Sequence, residues 1–304
     1  MSYQTDLSAR IGKLHFRNPV MPASGTYDYF ENNAGLFPPE SLGAIVIKSV
    51  HRLPRPGNPP PRIAEVFGGT INAIGIPSIG IEAFMERELP RFESIHAPIV
   101  LSISGSRPEH YREILEIVDN DRRISAVEMN LACPNVDNGL TFASDLCVLR
   151  HTVEQCRRAT NLCLIAKLNP SVPDIRPFVK AAEAAGADAV TLSNTFRAMK
   201  IDIEKRRPVL GAAFGGLVGP AVKAPNLFLV WNAYECIDIP IIACGGICSW
   251  SDAIEYFLAG ASMVQVGSYN FVDPGCMPDI INGIDNYLSA CGNSSLCEIV
   301  GKAH

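Results

Sequence analysis

Cys133 stands in Asn130-Leu-Ala-Cys-Pro-Asn135, where an apolar run ends. Pro134 has no N–H and cannot continue a central strand, so the chain must turn where the thiol becomes available. Two amides flank the thiol, and amide side chains can orient a polar ligand. The plainer alternative is a cysteine packed as a small apolar residue, as most reduced thiols are. Lys48 and Lys167 pose the same choice. They close the apolar runs Ile-Val-Ile-Lys and Leu-Ile-Ala-Lys, and a buried ammonium is costly unless it is paired or bonded to an anion. Glu128 has the strand parity of Asn130 and could pair with one of them; alternatively, both lysines face a bound, electron-rich ligand. Gly245-Gly246 and Gly267-Ser268 add a third signal, because backbone N–H groups of glycine-bearing loops and a short helix start can hold a phosphate.

A phosphate site, two cations and amides around a thiol suggest a phosphate-bearing cofactor with an acid/base group beside it. FMN fits: a lysine near its N1–C2=O edge would stabilise the anionic reduced ring, and a positioned base would take a substrate proton. Spacing alone does not name the cofactor. The six histidines, at 15, 51, 96, 110, 151 and 304, lie away from the expected strand ends, and no carboxylates cluster there. Metal-assisted hydrolysis and paired-carboxylate chemistry are therefore disfavoured, and no metal site is expected. The ten cysteines include no CxxC pair, which argues against zinc or an iron–sulfur cluster held by this chain alone.

Eight short apolar runs position these residues: 18–24, 44–50, 98–104, 126–132, 163–169, 189–195, 240–247 and 263–269. Near-continuous apolar runs of this length suit strands buried on both faces, as in parallel sheets. Amphipathic stretches at 108–120, 144–160, 174–185, 223–236 and 249–259 read as helices, with Asp174 and Ser249 as N-caps. The alternation predicts an α/β (β/α)8 TIM barrel over residues 1–304, a single domain with loop insertions on the C-terminal, catalytic face. A doubly wound sheet is the rival, weakened by the lack of GxGxxG after the first strand. The insertions are 51–70, 196–220 and a shorter one, 136–143, which could close over Cys133. The residues at the strand ends are then Ser24, Lys48, Ser102, Asn130 with Cys133, Lys167, Asn194 with Thr195, Gly245–Gly246 and Gly267–Ser268.

The chain has 304 residues, is 47 % hydrophobic and carries a net charge of −5. Lys and Arg are scattered, so neither nucleic acid nor a membrane surface is an expected partner. No apolar run approaches a membrane span, and the first twenty residues lack the basic start and apolar core of a signal peptide. A soluble, cytoplasmic protein is expected.

Asn130–Asn135, Asn72-Ala-Ile-Gly-Ile76, Pro22-Ala-Ser-Gly25, Gly215-Gly-Leu-Val-Gly-Pro220, 240–247 and 266–268 together resemble the dihydroorotate dehydrogenase family, in the family's order and over about residues 18–278. A Cys at 133 resembles the soluble class 1 enzymes rather than the membrane-associated class 2 enzymes, which use Ser. Arg206-Arg207-Pro208 before the Gly-Gly-Leu stretch looks more like class 1B than 1A. The resemblance implies oxidation of dihydroorotate to orotate in pyrimidine (UMP) biosynthesis. It makes Cys133 the base that removes the C5 proton while hydride leaves C6 for flavin N5. It places Asn72, Asn130, Asn135, Asn194 and Thr195, with the Ala73, Ile74, Gly75 and Ile76 backbone, on the substrate. Lys48 would lie between flavin and substrate and Lys167 near flavin N1. Ala23, Ser24, Ser49, Ser102, Asn130, Ser193, Gly219, Gly245, Gly246, Gly267 and Ser268 would complete the FMN site.

Class 1B also implies a homodimer, and a heterotetramer with an electron-transfer subunit that carries FAD and a 2Fe-2S cluster and passes electrons to NAD. Two other readings keep the barrel: the same flavin chemistry on a related cyclic amide or with fumarate as acceptor, and a non-catalytic flavin-binding partner subunit. Three positions depart from the family pattern. Ser102 stands where class 1B members usually have a flavin-contacting Asn. Ser78-Ile79 replaces Asn-Pro beside the substrate loop, and Val218 replaces Ser near the flavin.

Overall fold

Each of the eight apolar runs forms a strand: β1 (Val20–Pro22), β2 (Ile45–His51), β3 (Ile99–Ser104), β4 (Ala126–Asn130), β5 (Cys163–Lys167), β6 (Ala189–Leu192), β7 (Ile241–Cys244) and β8 (Met263–Val266). The structure, a computed structural model, describes residues 3–31, 33, 35–132 and 144–304. Cys133, Asn135 and the insertion 136–143 lie outside these residues. The strands pair in parallel in the order β1-β8-β7-β6-β5-β4-β3-β2. The two ends of that order meet where Gly43 N–H donates to Val20 O at 2.8 Å. This is a (β/α)8 barrel, not a doubly wound open sheet.

Helices cover the outside, all amphipathic except α4, whose apolar residues run round it: α1 (Pro108–Val118), α2 (Leu146–Ala159), α3 (Arg176–Ala184), α4 (Lys223–Tyr234), α5 (Trp250–Leu258) and α6 (Cys276–Ala290). Their buried faces join the outward side chains of the strands in one large core. Ser249 caps α5 as expected: its hydroxyl accepts from Asp252 N–H at 3.3 Å, and the Asp252 carboxylate accepts from Ser249 N–H at 2.9 Å. Asp174 lies one residue farther out than predicted, accepting from Arg176 N–H beside the helix start. Helix α6 was not among the stretches expected from the sequence. No helix among the described residues is long and apolar enough to cross a membrane.

Strand periodicity sorts the barrel interior into layers. Met21, Val46, Val100, Ala126, Ile165, Ala189, Ile242 and Met263, one from each strand, form a buried apolar cluster. Ile11 and Phe16 join it from the antiparallel hairpin of Ala9–Ile11 and Leu14–Phe16, which closes the bottom of the barrel. Two residues farther along, the layer turns mostly polar: Ala23, Lys48, Ser102, Glu128, Lys167, Thr191, Cys244 and Gln265. The β2–β3 ladder slips between Ile47 and Val50. That irregularity lets the consecutive residues Lys48 and Ser49 serve the same side of the sheet.

The two long insertions do not remain separate loops. Phe196–Ala198, Gly215–Val218, Gly69–Asn72 and Ile63–Val66 form one four-stranded antiparallel sheet across the barrel mouth. Ala64, Ile71, Ala73 and Leu210 give it a small core of its own.

Candidate active site

Between the polar layer and the small sheet lies a cavity of about 420 Å³, within the usual range for a small-molecule or cofactor site. Every predicted site residue among those described lines it except two. Ala73 is fully buried in the core of the small sheet. Ser102, although in the polar layer, is fully buried and off the wall, and its hydroxyl meets Ser49 Oγ at 2.8 Å. Cys133 and Asn135 lie outside the described residues. The sequence reading missed Thr26, Thr70, Cys244 and Phe271, which also line the cavity. Two of these carried a period-two signal: Thr70 stands two residues before Asn72, and Cys244 two after the interior Ile242.

The amides lie along one hydrogen-bonded row. Thr195 N–H donates to Asn194 Oδ1 at 2.7 Å, Asn194 Nδ2 to Asn130 Oδ1 at 2.9 Å, and Asn130 Nδ2 to Ser49 Oγ at 3.4 Å. Ser49 Oγ then meets Ser24 Oγ at 3.2 Å, and Ser24 donates to Ile47 O. The end of β4 is fixed from outside by the Tyr111 hydroxyl, which donates to Asn130 O at 2.8 Å. Asn72 enters from the small sheet, where its Nδ2 donates to Gly216 O at 3.2 Å. A Cβ at Gly216 would come within 1.9 Å of Thr195 Oγ1, so the sheet and the row fit only with glycine there. Groups held in this way are pre-set for a polar, planar ligand.

The two lysines differ, which corrects the expectation that both are buried. Lys48 is exposed to the open cavity; desolvation by the surrounding walls, then repulsion from Arg62, holds it below the ordinary lysine value. Lys167 is buried and bonded to Gln265 Oε1 at 2.7 Å and Glu128 Oε1 at 3.3 Å, so the pairing with Glu128 weighed from sequence does form. Burial works to discharge this ammonium, but the acidic groups facing it, Cys244 and Glu128, and the hydrogen bond to Glu128 keep its pKa raised. The Cys244 thiol is itself pushed up by burial despite Lys167. It is therefore a neutral neighbour, and the counter-charge falls to Glu128.

A histidine does close one strand. His51 was placed beyond the second run, yet β2 extends to include it. It is buried, its ring 5.4 Å from that of His110, and it is not on the cavity wall. Burial, then Arg55 and His110, lowers its pKa to about 4. Ser78, the departure beside the substrate loop, also stays off the wall: its hydroxyl accepts from the N–H groups of His51 at 3.0 Å and Gly80 at 3.1 Å. Val218 does line the cavity.

The dihydroorotate dehydrogenase family profile ("Dihydroorotate dehydrogenase") matches residues 6–288. The chain belongs to the dihydroorotate dehydrogenase family. Among its relatives are proteins named "Dihydroorotate dehydrogenase B (NAD(+)), catalytic subunit". That from Trichlorobacter lovleyi is 42 % identical over 296 residues, covering 97 % of both chains. That from Desulforudis audaxviator is 43 % identical over 295 residues, 97 % of this chain and 96 % of the other. A crystal structure of DHODH in complex with ferulenol from Eimeria tenella superposes with a TM-score of 0.81 at 23 % identity, covering 100 % of this chain and 91 % of that one; it bears out the fold. The family makes the chain an oxidoreductase and implies FMN.

The walls of this cavity suit that cofactor. Gly245 and Gly246 turn with φ of +138° and +69°, conformations that L side chains rarely adopt. A Cβ on Gly245 would strike Asn226 Nδ2 at 2.1 Å, and one on Gly246 would strike Lys223 N at 2.6 Å. A Cβ on Gly267 would meet only Ala23 Cβ, at 3.7 Å, so a side chain there would take up cavity space. Ser193 Oγ donates to Asn226 Oδ1, which ties the end of β6 to α4 on the same side. Glycine-lined room of this kind, with hydroxyls and a lysine beside it, fits a phosphate-bearing flavin.

Proposed function

We propose that this chain, acting as one domain, oxidises dihydroorotate to orotate in pyrimidine (UMP) biosynthesis at the mouth of its barrel. The observation that carries the reading is the row Thr195–Asn194–Asn130, joined by Asn72 and bordered by Lys48, in a cavity walled on the other side by Gly245, Gly246 and Gly267. It supports a site for a planar polar substrate beside a phosphate-bearing cofactor. Bound FMN would supply the acceptor for the hydride that leaves substrate C6.

The chain's own residues do the rest. The amides of Asn72, Asn130 and Asn194, with Thr195 and the Ile74–Ile76 backbone, bind and orient the ring; Asn135 would add a further amide. Lys48 offers positive charge from the open cavity, while Ser24, Ser49, Ser193, Ser268 and Lys167 hold the cofactor side. Cys133, three residues past Asn130, takes the C5 proton. An ordinary thiol, with a pKa near ~8.5, is mostly protonated at neutral pH, and nearby cations favour its thiolate. A separate subunit carrying FAD and a 2Fe-2S cluster, in a heterotetramer built on a homodimer, would carry the electrons on to NAD. The relatives' name, with NAD(+) and "catalytic subunit" in it, supports NAD as acceptor and a second subunit.

Anaerobic mixing with dihydroorotate tests the proposal. The yellow chain should bleach rapidly in flavin absorbance; a colourless chain that cannot take up FMN, or a yellow one that stays yellow, would overturn it. Cys133→Ser should slow bleaching by orders of magnitude near neutral pH while FMN stays bound, and an unchanged rate removes Cys133 from this role.

A further inference from the structure

The side chain of Lys167 is only 7 % exposed and that of Glu128 is fully buried. An ammonium has three N–H donors. One goes to Gln265 Oε1 and one to Glu128 Oε1, and Lys167 also lines the cavity, which leaves the third donor for what binds there. The second Glu128 oxygen is occupied as well: Gln265 Nε2 donates to it at 2.6 Å and Thr191 Oγ1 at 3.0 Å. Gln265 therefore accepts from one ion and donates to the other, which fixes both. Lys167 meets Glu128 from β4, Thr191 from β6, the neutral Cys244 thiol from β7 and Gln265 from β8, and Lys48 is the second cation at the cavity.

Burying a carboxylate this deep costs free energy even when it is paired, which calls for a role beyond balancing charge. We propose that Glu128, with Gln265 and Thr191, is a positioning residue that keeps Lys167 charged and directs its remaining N–H into the cavity. Lys167 then offers the bound electron-rich group a fixed positive charge that does not vary with pH. This rests on the reading of the cavity as an FMN site. The physical reason is the local dryness: a buried lysine without a counter-charge sheds its proton, in some sites down to roughly pH 5–6. Glu128 is the group that prevents this.

The test compares Glu128→Gln, Lys167→Met and the double variant with the full wild-type chain. In FMN titrations across roughly pH 6–9, wild-type affinity should stay level, whereas Glu128→Gln should weaken by about tenfold or more as Lys167 loses its proton. The reduction potential of the bound flavin in Glu128→Gln should fall relative to wild type over the same window. Lys167→Met should be weak throughout, and adding Glu128→Gln to it should change neither quantity further.

A flavin-free readout separates this idea from the FMN reading. In Glu128→Gln the folded pKa of Lys167 drops below its unfolded value, so the unfolded chain binds more protons. Its Tm should climb with pH relative to wild type, and Lys167→Met should abolish the climb. If the wild type takes up no FMN, the cofactor reading fails while the Tm profiles still decide the role of Glu128. Profiles of Glu128→Gln parallel to wild type, or equal shifts with and without Lys167, would overturn the proposal. Should Glu128→Gln not fold, Gln265→Leu should show the same signs with smaller amplitude, and no change in it would count against the proposal equally.

Discussion

The polar layer of the barrel and the small sheet over its mouth border the same cavity, but they are built in opposite ways. The layer takes one residue from each strand position of a continuous parallel ladder, and its Lys167 and Glu128 are buried and mutually bonded. The sheet joins two distant insertions around a core of a few side chains, and leaves Ile63 at 59 % exposure and Phe67 fully exposed. The comparison teaches a division of labour: the interior fixes electrostatics, and the sheet shapes the opening. Within the layer the lysines differ: Lys167 is locked among bonded partners, and Lys48 is exposed to the cavity.

Breaking the interior should cost most. Glu128→Ala leaves the Lys167 ammonium buried without its counter-charge, and should lower stability by about 3–5 kcal/mol, measured by urea unfolding of the flavin-free chain. In the small sheet, Gly216→Val forces atoms into the space of Thr195 Oγ1. Overpacking of this kind costs about 1–3 kcal/mol; the loss should appear as early hydrogen exchange at 69–72 while the barrel strands stay protected. Equal exposure of both regions would show that they unfold as one.

The junction between the regions should show in acid. His51 has a folded pKa of about 4, below its ordinary 6.5, so the unfolded chain binds the extra proton first. Its contribution is present above pH 6.5 and is lost as pH falls towards 4. His51→Gln should flatten the Tm profile in that window. The mildest change is Asn72→Ala, which removes one partly buried hydrogen bond, worth about 1 kcal/mol. Tm should scarcely move while the KM for dihydroorotate rises roughly tenfold; a change in kcat alone would remove Asn72 from substrate binding.

The barrel was legible in the sequence because continuous apolar runs have few alternatives, and all eight became strands within a few residues of the expected bounds. The small sheet was not. Gly69–Asn72 and Gly215–Val218 are short and glycine-bearing, and pairing between distant segments leaves no local periodicity. Lys48 shows another limit: its apolar neighbours suggested burial, but parity reports a side, not whether that side is filled. Ser102 and Ala73 reveal the same gap, since both stand at the right depth but behind the wall. The pairing of Lys167 with Glu128 was readable, because period two puts both in one layer; the bridging by Gln265, 98 residues from Lys167, was not.

The bond from Asn72 to Gly216 spans 144 residues. On a ribosome, the upper half of the mouth waits until most of the chain has emerged, and closing so long a loop is slow. The small sheet therefore cannot be completed before Gly216 has emerged. Pulse-labelled exchange should find the amides of 69–72 protected after those of β3 to β5.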